Sequence, residues 1–146
     1  MNPQTLMLQY ALSFLGLPYI YGANNPIVGF DCSGLVVELL KSEGKFPLNK
    51  DASSATLFTY LKSKTWLSVQ NPEFGDIIFY GKPQITHVAY FLGSGFIIES
   101  SGGDKNTNTP QKAASKNAFV KLRQYDYRDD IYAILREGNN VLSLKR

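Results

Sequence analysis

Apolar positions in the first half of the chain recur at helical spacing, whereas the second half carries short β-branched and aromatic runs. Leu6, Leu8, Ala11, Leu12 and Leu15 line a first helix. Asn2 stands at its cap, Pro3 at its first position and Gly16 at its stop. Positions 16–29 are rich in Gly, Pro and Asn and predict a loop. Asp31 is a good N-cap for a second helix over about Cys32 to Glu43, with Leu35, Val36, Leu39 and Leu40 on one buried face and Gly44 just beyond. A third helix begins between Asp51 and Ser54, carries Leu57, Phe58 and Leu61, and breaks at Thr65.

From Gly75 onward the pattern predicts strands at 77–80, 87–92, 96–100, 119–123 and 131–135. Helices followed by antiparallel strands argue for an α+β fold, with the N-terminal helices packed on a sheet of about five or six strands. Positions 102–117, rich in Gly, Asn, Thr and Lys, predict a long surface loop.

Gly93-Ser94-Gly95 is a hairpin signal. If all three residues form the loop, Leu92 pairs with Phe96 and His87 faces Ser101. Glu99 then lies diagonally from His87 on the same face, about 7–8 Å away by Cα. A two-residue loop would put Glu99 on the other face.

A length of 146 residues fits one domain spanning 1–146. With 44% hydrophobic and 18% charged residues, the chain has the composition of a packed globular protein. No apolar run reaches the roughly 18 residues of a membrane span, and no export signal is evident at the N-terminus. The net charge of +3 is mild, and the basic residues after Lys105 are interleaved with apolar and acidic ones. That pattern gives no phosphate-tracking run, so a nucleic-acid partner is not expected. Oligomeric state is not legible.

One Cys and one His are the most informative counts. They exclude an intramolecular disulfide, and a Cys/His zinc site would lack two ligands. No metal or organic cofactor is expected. Cys32 sits in the first turn of the second helix, where unpaired N–H groups and the helix dipole favour an anion, and the thiolate is the reactive form of a thiol. A lone Cys is also often a small buried hydrophobe, and His87 and Glu99 could each be structural. A carboxylate accepting from one imidazole nitrogen would fix the ring's tautomer and stabilise its charged form.

The blocks Leu17-Pro18-Tyr19-Ile20-Tyr21-Gly22, Gly29-Phe30-Asp31-Cys32-Ser33-Gly34-Leu35-Val36, Pro72-Glu73-Phe74-Gly75-Asp76-Ile77-Ile78-Phe79 and His87-Val88-Ala89-Tyr90-Phe91-Leu92-Gly93 resemble, in order and spacing, the signature blocks of NlpC/P60 cysteine peptidases. The resemblance runs over roughly residues 5 to 136. It implies a papain-like core and hydrolysis of peptidoglycan stem peptides, commonly at the bond from γ-D-glutamate to the diamino acid. It also implies Cys32 as nucleophile, His87 as base and position 99 as the polar third residue. Tyr21 would line the active site, and Asp31 and Ser33 would contact the amino end of the substrate. Two departures stand out. The third residue is more often His, Asn or Gln than Glu, and Gly22 is followed by Ala23 where a second glycine is common.

Alternatives remain open: a thiol-dependent amidase or acyltransferase, or a non-catalytic virion or secretion-apparatus module. A wall hydrolase without an export signal is expected to reach the wall as a phage lysin, through a secretion machine, or from a precursor whose signal was removed. Positions 97–103 resemble phage-associated, endolysin-like members most.

Overall fold

The computed structural model describes residues 2–138. Helix α1 spans Pro3–Leu12, with the Asn2 side chain accepting from the Thr5 N–H at 2.8 Å. It ends three residues before Leu15 because its last turn tightens: Phe14 and Leu15 donate to the carbonyls of Ala11 and Leu12. Helix α2 spans Cys32–Ser42 and begins at the expected cap, Asp31. It is not an amphipathic surface helix, since Leu35, Val36, Val37, Leu39 and Leu40 are all fully buried. The sheet covers one side of α2 and α3 packs against another, so the expectation of a single buried face falls short. Helix α3 spans Ser54–Ser63 behind a reciprocal Ser53–Thr56 capping box, and it buries Leu57 and Leu61.

The 16–29 loop contains a small antiparallel pair, β1 (Asn24–Asn25) with β2 (Gly29–Phe30). Six further strands form one antiparallel sheet: β3 (Leu67–Ser68), β4 (Ile77–Tyr80), β5 (His87–Gly93), β6 (Phe96–Ser101), β7 (Phe119–Gln124) and β8 (Ile131–Arg136). Their order is β3-β8-β4-β5-β6-β7. The fold is therefore α+β, with helices on a six-stranded sheet. Ile77, Phe79, Val88, Tyr90 and Ile98 join α1, α2 and α3 in the main core. Ile78, Tyr80, Ala89, Phe91, Ile97 and Ile134 form a second cluster. Burial on both faces explains why β4 reads as an unbroken apolar run.

The 102–117 segment is not all loop, because it holds helix α4 at Pro110–Ser115, capped by Thr109 with Pro110 in the first turn. Six residues are too few to show a helical period. The β5–β6 hairpin also differs from the three-residue loop. Ser94 and Gly95, both at positive φ, form a two-residue turn flanked by the Gly93–Phe96 pair. A bulge between Phe91 and Gly93 absorbs the extra residue, and beyond it Phe91 faces Ile97 and Tyr90 faces Ile98. Glu99 thus keeps the face of His87 although the loop is short. Among the described residues, no helix is long and apolar enough to cross a membrane.

Candidate active site

Cys32 is the first residue of α2, and four hydrogen bonds hold the backbone around it. The Asp31 carboxylate accepts the Gly34 N–H at 2.7 Å with one oxygen and the Gly22 N–H at 3.0 Å with the other, tying the preceding loop to the helix. The Asp31 N–H donates to the Ala23 carbonyl. A Cβ on Gly34 would overlap that carbonyl oxygen, so the approach needs glycine there. The Ser100 hydroxyl, on β6, donates to the Phe30 carbonyl at 2.6 Å in a fully buried contact. Cys32 is thereby registered against the strand that carries Glu99.

His87 opens β5 opposite Tyr80 and is 7% exposed. Its Nε2 lies 2.7 Å from Oε1 of Glu99, which is wholly buried. Tyr127 donates its hydroxyl to the same Oε1 at 3.0 Å, and Ser101 donates to Oε2 at 2.9 Å. Arg123 Nε is 3.7 Å from Oε2. Nε2 is engaged by Glu99, which leaves Nδ1 as the other ring nitrogen.

The electrostatics follow from these contacts. Burial pushes the His87 pKa down, but hydrogen bonds and charge from Cys32 and Glu99 outweigh it and raise it to about 9. Burial likewise works to raise the Glu99 carboxyl, yet His87, Ser101 and Tyr127 together hold it below its ordinary value. Tyr127, half-buried beside that carboxylate, is pushed up to about 12. Asp31 is raised, chiefly by burial.

Two hollows meet at Cys32, and Tyr19 and Thr86 line both. The smaller, about 250 Å³, is walled by His87, Ser101, Arg123, Tyr127 and Arg128. The wider, about 630 Å³, holds Tyr21, Asp31, Ser33 and Asp51. A separate hollow of about 460 Å³ beside α1, lined by Met7 and Phe74 among others, contains neither Cys32 nor His87. Among the described residues, no group of three or more His, Cys, Asp or Glu side chains gathers to hold a metal ion.

All six residues singled out in the sequence therefore fall around one cleft. Cys32 and His87 line the same smaller hollow, His87 meets Glu99, and Asp31 and Ser33 border the wider hollow with Cys32. Tyr21 is 55% exposed at the rim of the wider hollow. Ser33 is nearly buried, and its hydroxyl turns to Asp31 at 3.3 Å. Sequence reasoning missed Tyr19, Ser101, Arg123 and Tyr127. Ser101 had a signal, because it stands two residues after Glu99 on the same strand face. Tyr127 had none, since its contact with Glu99 bridges 28 positions through the β7–β8 connection.

Known proteins agree with this architecture. The chain is 28% identical over 129 residues to a gamma-DL-glutamyl hydrolase of Bacillus subtilis (strain 168), covering 82% of this chain and 29% of that one. It is 31% identical over 98 residues to a gamma-D-glutamyl-L-lysine dipeptidyl-peptidase of the same organism, covering 64% and 31%. The chain thus spans under a third of the length of either relative. The crystal structure of the NlpC/p60 domain of the peptidoglycan hydrolase SagA superposes with a TM-score of 0.62 at 23% identity, over 92% of this chain and 99% of that one. At that identity the likeness speaks for the fold. The profile of the NlpC/P60 family matches residues 16–124, most of the 146 positions, and on that match the chain belongs to the NlpC/P60 family.

Proposed function

We propose that this chain is a cysteine peptidase that cuts peptidoglycan stem peptides at the γ-D-glutamyl bond to the diamino acid. The observation that carries the reading is that Cys32, part-exposed where two hollows meet, shares the smaller one with His87, whose Nε2 meets the buried Glu99. The relative that is named a gamma-D-glutamyl-L-lysine dipeptidyl-peptidase supports the choice of bond.

In this reading the Cys32 thiolate attacks the amide carbonyl, and the Cys32 N–H at the helix start stabilises the tetrahedral oxyanion. His87, raised to about 9, holds its proton at neutral pH. It serves first as the acid that protonates the departing amine, then as the base that activates water against the acyl-enzyme. Glu99 keeps Nε2 occupied and compensates the imidazolium charge. Asp31, Ser33 and Tyr21 on the other side of Cys32 receive the amino end of the substrate, and the site of action is the bacterial cell wall.

The test is incubation of the purified protein, with Cys32→Ala beside it, on muropeptides from Gram-negative and Gram-positive walls, followed by mass spectrometry. A Cys32-dependent cut after γ-D-glutamate is the expected result. No Cys32-dependent fragment from either wall refutes the reading.

A further inference from the structure

The two halves of the cleft carry opposite charge. Asp31 and Asp51 border the wider hollow, and Arg123 and Arg128 border the smaller one. His87 lies in the smaller hollow, and under the peptidase reading it protonates the departing amine, so the leaving half of the substrate occupies that side. The two arginines there are not equivalent. Arg128 is already spent on Asp130, through paired contacts at 2.8 and 2.6 Å. Arg123 stacks over the Tyr127 ring at 4.4 Å, its side chain is 40% exposed, and it is paired with the buried Glu99 only at 3.7 Å, from Nε to Oε2. Among the described residues its guanidinium makes no hydrogen bond. A planar fork held against an aromatic face with its outer nitrogens uncommitted suits bidentate capture of a carboxylate.

We infer that Arg123 forms a subsite for a free carboxylate carried by the leaving half of the substrate. The inference rests on the peptidase reading for the direction of the chain through the cleft. Two sources supply that chemistry: the terminal carboxylate of a short stem peptide, and the second carboxylate of a diamino acid that is itself a diacid. With either, the cleft reads substrate charge at both ends, and an uncharged leaving segment is a poor ligand.

The test measures peptide binding by calorimetry to the Cys32→Ala protein, which cannot turn over. Three ligands are compared: L-Ala-γ-D-Glu-L-Lys as free acid, the same peptide as C-terminal amide, and L-Ala-γ-D-Glu-meso-diaminopimelate amidated at its main-chain carboxyl. The acid is expected to bind about tenfold more tightly than the amide, as a charge-assisted pair at a half-exposed site allows. If the diaminopimelate amide also outbinds the lysine amide, the side-chain carboxylate is a source as well. Adding Arg123→Gln is expected to cut these preferences below about twofold.

Equal binding of all three ligands, no binding of any, or a preference that survives Arg123→Gln overturns the assignment. If Arg123 acted only by steadying Glu99, its substitution would slow hydrolysis of acid and amide alike and leave the binding preference in place. Loss of hydrolysis by the unsubstituted protein with the preference intact would count against the peptidase reading alone.

Discussion

Replacing Glu99 by glutamine removes one charge and keeps the shape of the side chain, so it separates orientation from electrostatics. A carbonyl oxygen in the Oε1 position still accepts from His87 Nε2 and from the Tyr127 hydroxyl. The amide nitrogen then meets Ser101, whose hydroxyl can turn to accept, and Arg123, with which it makes no bond. What disappears is the ionised acceptor. A hydrogen bond to a charged group contributes about 1.5–3 kcal/mol against about 1 for a neutral pair, so imidazolium loses about 1–2 kcal/mol of support. That corresponds to about one pKa unit and roughly a 5- to 30-fold loss in kcat/KM.

The direction with pH follows from the raised His87 pKa. The imidazolium persists through neutral pH and is lost as pH rises through about 9, so that ionisation forms the alkaline limb of kcat/KM. Glu99→Gln is expected to move this limb down by about one pH unit. A proton NMR titration checks the same shift directly, because His87 is the sole histidine in the chain. The acid side gives a second sign. Glu99 is held below its ordinary pKa, so its ionised form adds stability above about pH 4.5 that is lost as pH falls through the lower folded value; this loss is absent in the variant. An unmoved alkaline limb would refute the electrostatic role. Complete inactivity in a folded variant would refute the claim that orientation alone retains activity.

Two other substitutions test the scaffold. Ser100→Ala deletes the buried tie to the Phe30 carbonyl, which still accepts from the Ile20 N–H at 3.2 Å. The stability cost is therefore about 1 kcal/mol, while kcat/KM falls further because Cys32 is no longer registered against β6; melting curves and kinetics measured together check this, and unchanged activity refutes it. Arg136→Gln leaves the Asp76 carboxylate, only 2% exposed, without the guanidinium that now holds it at 2.8 and 3.0 Å. A loss of about 3–5 kcal/mol is expected in chemical denaturation, and an unchanged midpoint would show the pair to be dispensable.

What the sequence made legible was local. Asn2 with Pro3, Asp31, and the Ser53 region each announce a helix start because capping is decided within four residues. The β4, β5 and β6 runs could be read because apolar strands leave a dense β-branched and aromatic signature. Helix α4 escaped because it is short, although Thr109-Pro110 was a usable signal. The hairpin was harder, since Ser94 adopts φ +53 in a turn position that favours Asn or Gly, and Gly93, at φ +95 beside the bulge that restores the pairing, reads equally well as a loop residue. The wider set of donors around Glu99 depends on the β7–β8 connection folding back, and no local pattern reports that.

The bulge and the donor set bear on the same question, which is how a charged residue can occupy position 99. A carboxylate with no solvent exposure is costly unless its lone pairs are filled. Here Tyr127 and Ser101 fill them beside His87, and the Arg123 guanidinium stands near enough to offset the charge. A neutral third residue would need fewer of these partners, and one without the bulge would point to the other face of the sheet. The glutamate, its donors and the irregular hairpin therefore belong together. Exchanging position 99 alone tests the charge, and exchanging its donors alone strands that charge in the core.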